Sequence, residues 1–281
     1  MSSLMVSGTP FETYEVDGIP VYVKREDLCS PDPNVCPPYS KMRGLELFLN
    51  EQDRNTPIGV QDAGFHSRSG WGTAYFCREL GMECYVGYPV FKREGTIENH
   101  TIRPYQLKAQ ELGAHLIPVK AGRATVAYYQ ARNIMSELTQ GKGLMLPAGL
   151  KLKESSIGTA KEVMDHTPDE LKAGTWIVSI SSGTVASGVL RGLRDYHDNI
   201  SFVAHLGSHK NRDKTRAFMV EMAGYEPDDF LIVDEGYDYS DEVTDPCPFP
   251  ASKFYENKAW QWMKQRIHWF EQPIVFWNIG D

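Results

Sequence analysis

Residues 176–196, WIVSISSGTVASGVLRGLRDY, read as a buried strand over Trp176 to Ile180, a loop of small residues from Ser181 to Ser187, and a helix from Gly188 to Tyr196. The same order recurs along the chain. Ile58 to Val60 leads into a Gly/Ser-rich turn, Ala63 to Gly72, and a helix from Thr73 to Leu80 that stops at Gly81. Cys84 to Tyr88 is the next strand, and a helix from Arg103 to Leu112 closes at Gly113 before the strand His115 to Val119. Ala124 to Leu138 reads as a helix, and Met145 and Leu146 open an extended stretch ending at Pro147. Further strands follow at Phe202 to Leu206 and Phe230 to Val233, and an amphipathic helix, Ala259 to Trp269, precedes the strand Ile274 to Trp277. Strands alternating with helices predict an α/β protein with mostly parallel sheets. No repeat of fixed period appears, and the acidic, Pro-rich segment Asp234 to Pro250 reads as a surface excursion near a boundary or a site.

At 281 residues the chain suits one large domain or two modest ones. With 29 Lys+Arg against 37 Asp+Glu, the net charge of −8 excludes a chain built as a whole to clamp nucleic acid. The apolar runs fall short of the about 18 residues that span a bilayer, and Met1 to Phe11 lacks the basic and apolar regions of a signal peptide. A soluble cytoplasmic protein with no membrane partner is expected, in the host cytoplasm if the protein is viral. The 5 cysteines form no CxxC pair and no Cys/His cluster at zinc spacing, so reduced thiols and no metal are expected.

Ser181, Ser182, Gly183 and Thr184 bring hydroxyls, backbone N–H groups and the positive end of a helix toward one point, which suits a phosphate. An ordinary tight strand-to-helix turn would look the same. The loop has no P-loop lysine and no full dinucleotide glycine pattern, which disfavours a nucleotide as the phosphate carrier. Lys41 stands at the mouth of a helix, Met42 to Leu49, and alone would read as a solvated first-turn residue. Upstream of it, Val21 to Leu28 is a short strand ending in Lys24, Arg25, Glu26 and Asp27.

VYVKREDL at 21–28, a loop, and SKMRGLELFL at 40–49 resemble the opening of the fold type II pyridoxal phosphate enzymes, most of all the aminocyclopropane-carboxylate deaminase and D-cysteine desulfhydrase group. The resemblance implies that Lys41 forms the Schiff base with the cofactor; Ser40 stands where that family usually has Asn. GFHSRSGWGTAYFCRELGM at 64–82 resembles the segment in which a Ser-Asn pair holds the substrate carboxylate and cofactor ring. Here Ser67 matches the serine and Arg68 replaces the Asn. SISSGTVASGVLRGL at 179–193 resembles the phosphate loop, with Ser182, Gly183, Thr184 and Ser187 in place. FYENKAW at 254–260 resembles the segment that sets Tyr255 over the substrate and Glu256 against the pyridine nitrogen.

The resemblance implies two three-layer α/β/α domains with mostly parallel sheets and pyridoxal 5'-phosphate in the cleft between them. Residues 1–49 and 146–281 would form the large domain and 50–145 an inserted small one; a homodimer is a family expectation. A lysine imine lets an amino substrate exchange onto the cofactor, whose ring accepts the electron pair left at the α carbon. Glu256 would favour a cationic ring by charge pairing; without the cofactor it reads as a helix-entrance glutamate. Tyr255 would act as acid or base if a nearby cation lowers its pKa, and otherwise it packs. Arg68 could fork onto a carboxylate or phosphate with Trp71 as a stacking plane, suiting a larger, more anionic substrate; a solvated arginine and a core tryptophan are the alternative. His66 reads as a base or an exposed turn residue.

Three functions stay open. The first is a lyase that deaminates a free small amino acid or eliminates its β substituent. The second, in which the chain resembles a phage-encoded branch, is decarboxylation of an amino-acid group attached to thymidine during DNA hypermodification. The third is a pseudo-enzyme that holds the cofactor or a phosphate without turnover.

Overall fold

The computed structural model describes residues 3–62, 64 and 66–280. Ala63, which opens the predicted turn, and Phe65 lie outside the described residues. In chain order the elements are β1 (Phe11–Val16), β2 (Ile19–Arg25), α1 (Lys41–Asn50), β3 (Ile58–Gln61), α2 (Ser69–Leu80), β4 (Cys84–Val90), α3 (Pro104–Glu111), β5 (His115–Lys120), α4 (Ala124–Leu138), β6 (Leu144–Met145), α5 (Lys153–His166), β7 (Gly174–Ile180), α6 (Thr184–Gly192), β8 (Ile200–Leu206), α7 (Arg212–Ala223), β9 (Asp229–Val233), α8 (Glu256–Lys264) and β10 (Ile274–Asn278). Two compact units result. The first comprises Met1–Pro31, Pro38–Gly44 and Lys153–Asp281; the second comprises Asp32–Pro37 and Leu45–Leu152.

The first unit is built on a six-stranded sheet in the order β1-β2-β10-β7-β8-β9, parallel except for the β1/β2 pair. Alternation along its strands sorts the core into two layers. Trp176, Val178 and Ile180 of β7, with Phe202 and Ala204 of β8, meet Val163 of α5, Val185 and Val189 of α6 and Met219 of α7. Ile177, Val203 and Phe276 face the opposite way, onto Ala259, Trp260 and Met263 of α8.

In the second unit the sheet order is β5-β4-β3-β6, all parallel. Helices cover both faces, and glycines set how close they come. A Cβ on Gly87 or Gly59 would collide with Ala131 or Met135 of α4, and one on Gly70 of α2 would collide with Val86 of β4.

Several predicted bounds move. The run Ser69-Gly70-Trp71-Gly72 is the first turn of α2 rather than the end of a loop, and Gly70 serves close packing rather than chain reversal. Helix α6 begins at Thr184, so Thr184 to Ser187 are helical and the turn shrinks to three residues. The helix expected over Ala259 to Trp269 is α8, which starts earlier at Glu256 and ends at Lys264, followed by a separate 3-10 turn over Ile267–Trp269. Helices α5 and α7 and strand β1 carry no strong apolar period. The buried face of α5 is mostly Ser155, Ser156, Gly158, Thr159 and Ala160, small residues that let it pack closely on α6, where a Cβ on Gly188 would strike Thr159. All 5 cysteines are buried, and none forms a disulfide. No group of metal-ligating side chains occurs among the described residues, and no described helix is long and apolar enough to cross a membrane.

Candidate functional site

In the first unit the predicted residues gather at the carboxyl ends of β10, β7 and β8, where parallel sheets bind ligands. Just past β10, Ile279 accepts from the Ser40 backbone N–H at 3.0 Å and the Ser40 hydroxyl at 3.2 Å. Gly280, at φ +98°, lies so close to Pro38 and Tyr39 that a Cβ would not fit. These contacts fix the start of α1, and its first residue, Lys41, extends its ammonium to 3.1 Å from Ser182 Oγ.

The turn that Lys41 reaches is shaped by Gly183. Its φ of +82° is left-handed, and a Cβ there would stand 2.7 Å from Met219 Cγ, so glycine is required on both counts. Ser182 Oγ and Thr184 Oγ1 lie 3.0 Å apart, with Thr184 buried as the first residue of α6. Ser187, one turn further on, is buried and donates its hydroxyl to the Thr184 carbonyl at 2.7 Å, which places it in the helix behind the turn rather than on it. On the other side of the turn, Lys210 donates to the Ser181 carbonyl at 2.5 Å and to Ser181 Oγ at 3.1 Å.

Tyr255 and Glu256 come in at the end of β8. The Tyr255 ring covers Gly207, where any Cβ would collide with it, and Gly207 N–H bonds the Ile180 carbonyl at 3.0 Å, next to the turn. Glu256 is buried as the first residue of α8. Lys258 is fully buried beneath them, donating to the Gly207 carbonyl at 2.7 Å and the Asp238 carbonyl at 3.3 Å, with its ammonium 4.7 Å from the Tyr237 ring center. Burial lowers its pKa. Lys258 therefore ties the acidic excursion to the site, and Tyr239 from that excursion meets Tyr255 edge-on at 6.0 Å. Burial, then Tyr239, push the Tyr255 phenol well above its ordinary value, and the Ser181 hydroxyl offsets this only in part.

In the second unit Ser67 and Arg68 precede α2. The Ser67 hydroxyl donates to Asp62 Oδ1 at 2.9 Å, an oxygen that also accepts from Gly70 N–H at 2.8 Å, while Asp62 Oδ2 accepts from Gln106 Nε2 at 2.6 Å. Asp62 is fully buried, and burial raises its pKa against the pull of these donors. Arg68 lies over the Tyr105 ring at 4.8 Å and donates to its hydroxyl at 2.8 Å. Trp71 is not an open stacking plane. It is 2% exposed, stacked on Tyr105 at 5.8 Å and 7°, with Lys108 3.8 Å from its ring center and its own N–H bonded to the Val35 carbonyl at 2.6 Å. His66 is half-buried at the turn.

Sequence reading passed over Lys210, Tyr239 and Asp62. Position was the available signal for two of them, since Lys210 follows β8 and Asp62 follows β3, both at carboxyl ends of parallel strands.

The residues in the first unit suit a phosphate-bearing aldehyde: an amine at a turn of hydroxyls at the N-terminus of a helix, where Gly183 leaves no room for a side chain. No family model matches the chain. Along 99% of its length it is 39% identical to the whole of a protein named glycyl-dTMP PLP-dependent decarboxylase, from Pseudomonas phage M6. An ACC deaminase homologue superposes with a TM-score of 0.77 at 18% identity, covering 99% of this chain and 90% of its own. Serine racemase from Dictyostelium discoideum superposes with a TM-score of 0.66 at 16% identity, covering 97% and 93%.

Proposed function

Because the chain belongs to the fold type II pyridoxal phosphate-dependent enzymes, together with the phage M6 decarboxylase, we propose that it removes carbon dioxide from an amino-acid group carried on a thymidine nucleotide and keeps the amine. The observation that carries this reading is the 39% identity over practically the full length of both chains. The solved structures, at 18% identity and below, speak to the fold alone.

When bound, the cofactor supplies an aldehyde that joins an amine and a ring that accepts the electron pair of a breaking bond. Lys41 would hold the aldehyde. Ser182, Gly183 and Thr184 would hold the phosphate, with Ser187 supporting the turn from behind through Thr184. Glu256 would face the ring nitrogen. Ser67 and Arg68 would orient the substrate, and the Arg68 fork, held in place by Tyr105, suits the phosphate or carboxylate of a modified nucleotide.

Deamination or β-elimination begins with a base taking a proton from carbon, a step that decarboxylation does not need. Departure of carbon dioxide leaves a carbon that must then receive a proton, which Tyr255 would give.

The test supplies the cofactor-loaded protein with a glycyl-modified thymidine nucleotide and, separately, a panel of free amino acids. One equivalent of carbon dioxide per amine-bearing nucleotide is expected. Ammonia and a 2-oxo acid would overturn the reading in favour of the lyase, and tight cofactor binding with no product from any substrate would favour a pseudo-enzyme.

A further inference from the structure

Ser181 is the first residue after β7, and its carbonyl belongs to the same planar peptide unit as the Ser182 N–H. Lys210 donates to that carbonyl at 2.5 Å and to Ser181 Oγ at 3.1 Å, so one ammonium grips the residue by main chain and side chain together. In a trans peptide the carbonyl and the N–H point in opposite directions. An ammonium held on the carbonyl side therefore fixes the Ser182 N–H on the other side and polarises it into a stronger donor.

Lys210 is itself held in place. Ile180 and Leu206 are partners across β7 and β8, and Gly207 N–H bonds the Ile180 carbonyl at 3.0 Å, so the two strand ends leave the sheet side by side. His209 N–H bonds the Tyr237 carbonyl at 2.7 Å, and Asn211 caps α7 by accepting from Lys214 N–H at 2.9 Å. Lys210, half-buried between these two fixed residues, reaches back to Ser181 on the neighbouring strand end. Two lysines thus take consecutive residues of the turn, Lys210 on Ser181 and Lys41 on Ser182.

We propose that Lys210 is a positioning residue for the cofactor phosphate. Lys41 is committed to the aldehyde, whereas Lys210 keeps the Ser181–Ser182 peptide oriented with its N–H toward the anion and holds a positive charge beside the turn. It thereby favours the phosphorylated cofactor over the bare aldehyde. This inference rests on reading the turn as the phosphate holder and is independent of whether the enzyme decarboxylates or eliminates.

The experiment loads the full chain with pyridoxal phosphate or with pyridoxal, which lacks the phosphate, and measures each dissociation constant by equilibrium dialysis. Lys210→Met should raise that of pyridoxal phosphate roughly tenfold or more, the weight of a lost charge-assisted hydrogen bond, and leave that of pyridoxal unchanged. Lys210→Arg, which still donates, should return to within a few-fold of wild type. Ser181→Ala keeps the carbonyl contact and should weaken binding by less than Lys210→Met. A second readout is spectroscopic: the phosphorus resonance of the bound cofactor should move in Lys210→Met and return in Lys210→Arg. Wild-type affinity and an unmoved resonance in Lys210→Met overturn the proposal. So does an equal loss of pyridoxal phosphate and pyridoxal, which marks general damage to the fold, or a Lys210→Arg protein as weak as Lys210→Met. Gly183→Ala, run in parallel, separates the proposal from the reading beneath it. If Gly183→Ala weakens binding of pyridoxal phosphate and Lys210→Met does not, the turn holds the phosphate without Lys210. If neither does, the phosphate reading of the turn falls and the proposal falls with it.

Discussion

The Lys24 ammonium of β2 lies 2.7 Å from a Glu162 carboxylate oxygen of α5, and both side chains are buried. Glu162 also accepts from the backbone N–H groups of Gly8 and Thr9, each at 3.1 Å, and sits 3.6 Å from Arg43, which in turn pairs with the buried Glu26. Two acids and two bases thus lock β2, α5 and the first turn of α1, the turn that carries Lys41. Removing one member leaves an uncompensated buried charge, so Lys24→Met should destabilise folding by about 3–5 kcal/mol, measured by urea denaturation at neutral pH. A change within about 0.5 kcal/mol, the range of an ordinary surface substitution, would contradict this account of the network.

The same network predicts acid sensitivity. Burial alone would raise the Glu162 pKa, but Arg43, Lys24 and the Gly8 N–H outweigh it and the pKa is lowered. A carboxylate whose folded pKa is depressed contributes stability above its unfolded value, about 4.3, and loses it as pH falls through the folded value. Denaturation midpoints should drop below about pH 4.3, and less steeply in Glu162→Gln. Parallel curves for the two proteins would contradict the assignment.

Asp62 separates two kinds of substitution. In Asp62→Ala the Ser67 hydroxyl, Gly70 N–H and Gln106 amide lose their acceptor, at a cost of about 1–3 kcal/mol for each donor left buried. Asp62→Asn should stay within about 1 kcal/mol of wild type, because an Asn oxygen keeps the Ser67 and Gly70 bonds and Gln106 can turn its amide over. Gln106 Oε1 is buried without a hydrogen-bond partner as it stands, so the flip gives it a donor. Equal damage from the two variants, in thermal and urea unfolding, would contradict this hydrogen-bond assignment.

Gly183→Ala tests the turn. The new methyl meets Met219 and holds an L residue in the left-handed region, which costs about 1–2 kcal/mol before any clash. Cofactor affinity should fall while the secondary structure seen by circular dichroism remains. Unchanged cofactor affinity would mean that the turn is not the phosphate holder.

How much of this was legible depended on which residues carried the signal. The strands of the first sheet are dense in β-branched and aromatic residues, so Trp176–Ile180 and Ile274–Trp277 stand out, as does the full extent of α4. Helix α5 was invisible because a helix packed through Ser, Gly and Thr shows no apolar stripe. In the site, Lys41 and the 181–184 turn were found by motif, and the structure brings them within hydrogen-bond reach of each other. Lys24 and Glu26 of the same opening motif prove to be scaffold, a role that spacing cannot reveal: Lys24 is held by Glu162, 138 residues away, and Glu26 by Arg43. Trp71 went the other way: an aromatic beside an arginine looked like a stacking plane, and only packing shows its faces occupied.

The central claim is a covalent bond between the Lys41 amine and the cofactor. Borohydride reduction of the yellow protein, followed by digestion and mass spectrometry, should place the pyridoxyl phosphate mass on the peptide containing Lys41, and Lys41→Ala should be colourless and unlabelled. Label on the peptide of Lys210 or Lys258, with Lys41 unmodified, would contradict the account.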